Sequence, residues 1–238
     1  MLKTELHAHT ADDPVDLIPH SSIDLIERAA ALGYQVLAIT LHDRYLDIEP
    51  LLPHARRCGI TLIAGIEKTI EGRHVLLINF DAAAERVGTF DELRRLRQAR
   101  PTGLVVAPHP FYPSTSCVGR ILEQQPDLFD AVEFSAIYTF GVGAFNRTAI
   151  RWARRHGKPL VANGDVHRLV QLGRTYSLVD AAPEPDAICA AIRGGRVAIE
   201  AEPLSTWQAA RLATNLAGDH LKRLVSGADR ASGAEPIR

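Results

Sequence analysis

Short apolar runs separated by stretches of helical periodicity recur along most of the chain, and no other feature limits the possible folds as strongly. Val36–Thr40, Ile60–Ala64, Gly103–Ala107 and Ala131–Ala136 read as strands buried on both faces. Leu2–His9, Arg73–Phe80, Pro159–Ala162, Ser177–Ala181 and Val197–Ile199 add further strands. Between them lie helical patterns. Ile23, Ile26, Ala29 and Ala30 ahead of Gly33 outline one, capped by Ser21 or Ser22 with Asp24 in its first turn. Others run from about Asp47 to Cys58 before Gly59, around Asp91, Leu93 and Leu96, and over Val118–Gln125, Ala144–His156 and Pro185–Ile192. Strand-helix alternation of this kind predicts an α/β fold with a parallel sheet, and seven or eight such units predict a closed barrel. An open doubly wound sheet is the alternative.

The length of 238 residues, with 46% hydrophobic and 23% charged, fits one domain of barrel size. Residues 1–225 are expected to form it, ending in an amphipathic helix from about Ser205 to Val225, and the Gly/Ser/Ala-rich stretch 226–238 to fray. A net charge of −1 offers no global attraction for nucleic acid or an anionic membrane, although it leaves room for a local basic patch. Cys58, Cys117 and Cys189 are widely spaced, without a Cys-x-x-Cys pair, and read as reduced, mostly buried thiols. With no leader pattern and no apolar run of membrane-spanning length, a soluble cytoplasmic protein is expected.

Polar residues separate the two sheet architectures. His7 and His9 end the first strand, two apart and so on one face. Ten histidines in this chain make one His-x-His by chance about 0.4 times, so the pair alone is weak. Yet His42, Glu67, His74, His109, Asp165 and His167 also stand near strands, chiefly at their C-terminal ends, where barrels carry active sites. An open sheet would gather such groups at one switch point. Imidazoles and carboxylates without a thiolate suit Zn, Mn or Fe in a catalytic site, and eight such groups suffice for about two or three ions, with Glu67 a candidate bridge. His20, His54, His156 and His220 fall off the pattern and read as ordinary helix or loop histidines.

These motifs resemble the polymerase and histidinol phosphatase (PHP) family over roughly residues 2–200. The family's His-x-His-Thr with a following acid is matched by His7-Ala8-His9-Thr10 and Asp12-Asp13, and its Thr-Asp-His by Thr40-Leu41-His42. Its Gly-x-Glu is matched by Gly65-Ile66-Glu67 and its Asp-x-His by Asp165-Val166-His167. The resemblance implies a distorted (β/α)7 barrel with a metal site at the C-terminal ends of the strands. It also implies three metal positions: His7, His9, Glu67 and Asp165; Glu67, His74 and His109; Asp13, His42 and His167. Three departures stand out. Leu41 replaces Asp, Asn163-Gly164 replaces Gly-Ser, and Asp12-Asp13-Pro14 replaces Ser-Asp-Gly one residue early. The last leaves the acidic ligand open among Asp12, Asp13 and Asp16; Asp13 is favoured because Pro14 holds it extended.

The implied activity is metal-dependent hydrolysis of phosphate esters, as by a histidinol or nucleotide phosphatase, with a metal-bridging hydroxide as nucleophile. Glu67, Asp165 and His167 are the candidate catalytic groups, the last two as ligands that could also move protons. Arg44, Lys68 and Arg168 each lie within two residues of a candidate ligand, and Arg44 and Arg168 are the preferred contacts for a small phosphorylated substrate. The Gly141-Val142-Gly143 loop opens a helix and could offer amides to an anion, whereas Arg147, Arg151, Arg154 and Arg155 read as a solvated helix face. Two other readings use the same residues: a metal-stabilised binding domain without catalysis, and a metal-dependent amide or lactone hydrolase.

Overall fold

All four residues of the Val36–Ile39 run are buried, as the apolar pattern requires of a strand covered on both faces. The computed structural model describes residues 1–136, 143–205, 207 and 214. Its strands are β1 (Leu2–Glu5), β2 (Val36–Ile39), β3 (Thr61–Ile70), β4 (Arg73–Ile78), β5 (Leu104–Ala107), β6 (Ala131–Ser135), β7 (Leu160–Asn163), β8 (Thr175–Val179) and β9 (Val197–Ala201). They form one nine-stranded sheet in the order β7-β6-β5-β4-β3-β2-β1-β8-β9. Just beyond the ends of β1 and β7 the sheet turns back on itself. Ala8 and Val166 bridge in parallel, the amide of His9 donating to Val166 O and that of Val166 to His7 O, each at 3.0 Å. The result is a nearly closed, barrel-shaped sheet.

The expected uniform parallel sheet is corrected in two places. β4 runs antiparallel to both β3 and β5, and β8 runs antiparallel to β1 and β9. The first follows from Glu71-Gly72, whose φ values of 47° and 76° make a two-residue hairpin turn where the alternation called for a helix. β3 therefore continues through Glu67 to Ile70 instead of stopping near Ala64. Because β4 runs backwards, its beginning, not its end, lies on the side of the sheet towards which β2 and β3 run. Thr69 pairs with His74 while Glu67 bridges to His42.

Helices α1 (Ser22–Ala31), α2 (Leu52–Arg57), α3 (Phe90–Ala99), α4 (Arg120–Gln124), α5 (Ala144–His156) and α6 (Pro185–Arg193) cover the sheet. Ser21 caps α1 in a reciprocal capping box with Asp24. α2 is shorter than the pattern suggested, because Pro50 and Pro53 lack amide donors, and its first part is a 3₁₀ turn over Glu49–Leu51. Ile188, Cys189, Ala191 and Ile192 of α6 join the apolar cluster of Val36, Ile63, Leu76, Leu104 and Val161. That packing stoppers the barrel at the end away from the histidines. The helix expected from Ser205 to Val225 and the tail 226–238 fall outside the described residues, apart from Ser205, Trp207 and Thr214. Among the described residues no helix is long and apolar enough to cross a membrane.

Candidate metal centre

Glu67 sits on β3 with its side chain almost fully buried, a placement that would strongly favour a neutral acid if nothing opposed it. Five imidazoles oppose it. Oε1 lies 2.8 Å from His74 Nδ1 and 3.2 Å from His109 Nε2. Oε2 lies 3.3 Å from His7 Nε2, 3.4 Å from His9 Nε2 and 3.1 Å from His42 Nε2. Burial would raise its pKa, but His7, His109 and His42 outweigh that and hold Glu67 well below the usual carboxylate range. Its two oxygens thus face two different groups of histidines.

Asp165 closes the other side. Its Oδ1 is 3.3 Å from His7 Nε2, 3.6 Å from His9 Nε2 and 3.4 Å from His167 Nδ1. Among the described residues, four groups have donor atoms near enough to share an ion: His7, His9 and Asp165; His7, Glu67 and His109; His42, Glu67 and His74; His9, His42 and His167. Asp165 and His109 both hold left-handed backbone, φ 47° and 31°, a region that non-glycine residues seldom occupy. The strain at His109 is held by its amide, which donates to Glu133 Oε2 at 2.7 Å.

Five of the six imidazoles are aimed by a partner behind the ring. Glu133 Oε1 accepts from His7 Nδ1 at 3.0 Å and from Asn163 Nδ2 at 2.9 Å. Asp13 Oδ2 accepts from Nδ1 of His9 and of His42 at 2.9 and 3.0 Å, and from the His42 amide at 2.9 Å. Asp13 Oδ1 takes the amides of Val15 and Asp16. Burial would raise its pKa, yet the bonds from His42 and His9 prevail and drive it far down. His109 Nδ1 rests 3.3 Å from Cys117 Sγ, and His167 Nδ1 3.0 Å from the Asp165 carbonyl. A proton fixed on Nδ1 leaves Nε2 as a lone pair directed inwards.

Two of those inward nitrogens decide whether the residues suit a metal. Nε2 of His7 and Nε2 of His9 are shut off from solvent and have no hydrogen-bond partner among the described residues. A buried polar atom left without a partner costs about 1–3 kcal/mol, and here both face the same two carboxylates. A divalent cation bound by neutral imidazole and anionic carboxylate removes both costs. The donor set therefore fits a metal.

The candidate acids separate cleanly. Asp12 turns towards Thr10 and Ser22, each hydroxyl 3.4 Å from its Oδ2. Asp13 backs His9 and His42. Asp16, 39% exposed, brings Oδ2 to 3.2 Å from His167 Nε2 and 3.9 Å from His42 Nδ1. Arg44 and Arg168 stand at the rim, their Nη1 atoms donating to the carbonyls of Asp12 and Leu17 in the same loop. Lys68 is paired with Asp43 at 2.8 Å.

Glu133, Glu5, Cys117 and Asn163 are the supports that the sequence reading did not single out. The visible signal was Glu133 itself, the charged residue in the otherwise mostly apolar run of β6. Glu5, fully buried and pushed up to about 8 by burial, accepts the amides of His7 and Gly164. A Cβ at Gly164 would lie 2.7 Å from Val166 Cγ2 and 3.1 Å from Glu5 Oε2, which accounts for glycine where the family pattern has serine. Leu41 is buried in the apolar cluster with Leu25 and Ile39. Among the off-pattern histidines, His20 bonds the His9 carbonyl, His54 meets Glu27, and His156 stacks on Trp152, while His220 lies outside the described residues. Gly141 and Val142 also lie outside them, and Asn146 spends its amide on the backbone of Ser135. Arg147, Arg151, Arg154 and Arg155 are exposed on α5.

Residues 143–197 match the PHP-associated family model. Over 84 residues the chain is 40% identical to a 5′-3′ exoribonuclease of Haemophilus influenzae, a match covering 33% of this chain and 29% of that protein. Its structure is similar to that of a two-domain protein from Bacteroides vulgatus containing a predicted PHP-like metal-dependent phosphoesterase. The TM-score is 0.63 at 18% identity, over 84% of this chain and 65% of the other. It is also similar to a lesion-specific endonuclease from Pyrococcus furiosus, with a TM-score of 0.53 at 16% identity, over 83% of this chain and 57% of the other. The chain thus spans less than two thirds of the length of each of these relatives. Residues 143–197 are thus similar to a PHP-associated model, and the barrel to those of PHP-like structures.

Proposed function

We propose that this PHP-like chain is a metal-dependent hydrolase of phosphate esters that works with two or three divalent ions. The observation that carries the reading is the pair of buried, partnerless Nε2 atoms of His7 and His9 facing Glu67 and Asp165. Divalent ions bound there would polarise a phosphoryl oxygen and lower the pKa of water.

The chain's own residues would divide the remaining work. Glu67, with an oxygen for each histidine group, is the bridging carboxylate, and Asp165 completes the deep position with His7 and His9. His74 and His109 complete a second position. For the third, His42 and His167 need an acid, and the geometry favours Asp16. Asp13 has both oxygens committed and would act through His9 and His42 as a positioning residue. His167, beside Asp16 at the rim, would move a proton to the leaving oxygen. Arg44 and Arg168 would grip substrate phosphate from the rim.

The ester remains to be chosen between two classes. A phosphomonoester such as histidinol phosphate or a nucleotide is the first. The 40% identity to a 5′-3′ exoribonuclease over 84 residues favours adding phosphodiesters, short RNA among them. After metal-replete purification, elemental analysis should find more than one Zn, Mn or Fe per chain, with hydrolysis of at least one monoester or diester. One ion or fewer, or turnover confined to lactones and amides, would overturn the proposal.

A further inference from the structure

Away from the histidines, at the barrel end where β5 begins, four arginines border one cavity of about 380 Å3: Arg94, Arg97, Arg100 and Arg193. They arrive from different parts of the chain. Arg94 and Arg97 lie on α3, Arg100 follows it, and Arg193 ends α6 more than ninety residues later. A solvated helix face would explain the first two but not the convergence of all four.

Their charge is only partly answered. Asp130 and Asp127 are the two acids of the cavity, and Asp130 is already spent: Oδ1 accepts from Arg97 Nη2 at 2.6 Å and Oδ2 from the Val105 amide at 2.8 Å. Arg94 donates to the neutral Gln125 amide, and Arg193 to the carbonyls of Thr102 and Gly103. Arg100 has no ion pair among the described residues, and its Nε is hidden from solvent without a hydrogen-bond partner. Of the four arginines only Arg97 has an ion pair among the described residues, so three guanidinium charges bordering the cavity meet no carboxylate there, an arrangement that favours a bound anion.

We infer that this cavity is a second anion site, distinct from the metal centre, that binds a phosphate-type oxyanion between Arg100 and Arg94, both of which border it. The planar fork of arginine matches two phosphate oxygens at once, and the volume admits a compact phosphorylated molecule or pyrophosphate. The inference does not depend on the hydrolase reading, because none of these residues touches the histidine cluster.

The test is calorimetric and thermal titration of the metal-loaded, full-length protein with pyrophosphate, compared with sodium chloride at equal ionic strength. Pyrophosphate should raise Tm where chloride does not, and its affinity should fall at least tenfold in Arg100→Gln and several-fold in Arg94→Gln. The arginine-dependent component should persist in Glu67→Gln, which separates it from phosphate held at the metals. Unchanged pyrophosphate affinity in Arg94→Gln and in a folded Arg100→Gln, or a Tm rise reproduced by chloride, would overturn the site. Should Arg100→Gln fail to fold, the exposed Arg94→Gln and the chloride control decide.

Discussion

The two halves of the histidine cluster are built differently. In the deep half, His7 and His9 are fully buried, and each is pinned through Nδ1 by a buried carboxylate, Glu133 or Asp13. At the rim, the His74 side chain is 20% exposed and Asp16 39% exposed, and His109 and His167 are aimed by a thiol and a backbone carbonyl instead. The contrast teaches where precision and access are separated. Carboxylate backing raises ligand basicity and fixes direction, at the cost of burying charge that only a cation can balance. The rim gives up that rigidity for a way in.

The most severe way to break the contrast is Glu67→Gln, since Glu67 faces the two halves with separate oxygens. Turnover should fall by at least about 10³-fold, with metal lost from both halves together in elemental analysis. Loss from one half only would show that Glu67 does not bridge. Glu133→Gln should act on the deep half alone, weakening metal affinity roughly 10–100-fold by chelator competition while the rim keeps its ion.

Asp13→Asn and Asp16→Asn sharpen the division. Asp13→Asn should loosen His9 and His42 together, again by roughly 10–100-fold in metal affinity, and lower the Tm of the metal-free protein. Asp16→Asn should empty one rim position and leave Tm nearly unchanged. The reverse pattern would return the ligand role to Asp13. Arg44→Gln and Arg168→Gln should each raise KM about tenfold, the worth of one charge-assisted bond, with metal content intact.

The smallest effect is on pH. In the metal-free protein burial would lower His42, but Asp13 and Glu67 lift it to about 10, so the protonated imidazole stabilises the fold. That contribution is complete below the unfolded value of about 6.5 and is lost as pH rises through the folded value. Asp13 has a depressed pKa, so its contribution is present above about 3.9 and lost as pH falls further. Metal-free Tm should therefore fall on raising the pH from 6.5 towards 10, and metal loading, which releases these protons, should flatten the alkaline slope. A metal-free Tm that rises over this range would contradict the paired imidazole and carboxylate arrangement.

Much of the architecture could be read from residue order. The alternation of apolar and amphipathic stretches predicts a wrapped α/β sheet because burial on both faces forces continuous apolar runs, and all nine strands begin within two residues of the expected position. His7, His9, His42, Glu67, His109, Asp165 and His167 could be picked out because a ligand set at strand ends leaves a periodic trace. What tertiary structure alone decided was direction and support. The direction of β4 depends on Glu71-Gly72 closing a hairpin, a two-residue event that hydrophobic periodicity does not register, and it is why His74 reaches Glu67 from the start of a strand. Glu133 and Asp13 differ from ordinary acids only by what lies behind and before them, 126 residues away from His7 in one case and four residues from His9 in the other. A buried carboxylate acquires its role from the charges that surround it, and those are assembled by the closing of the barrel.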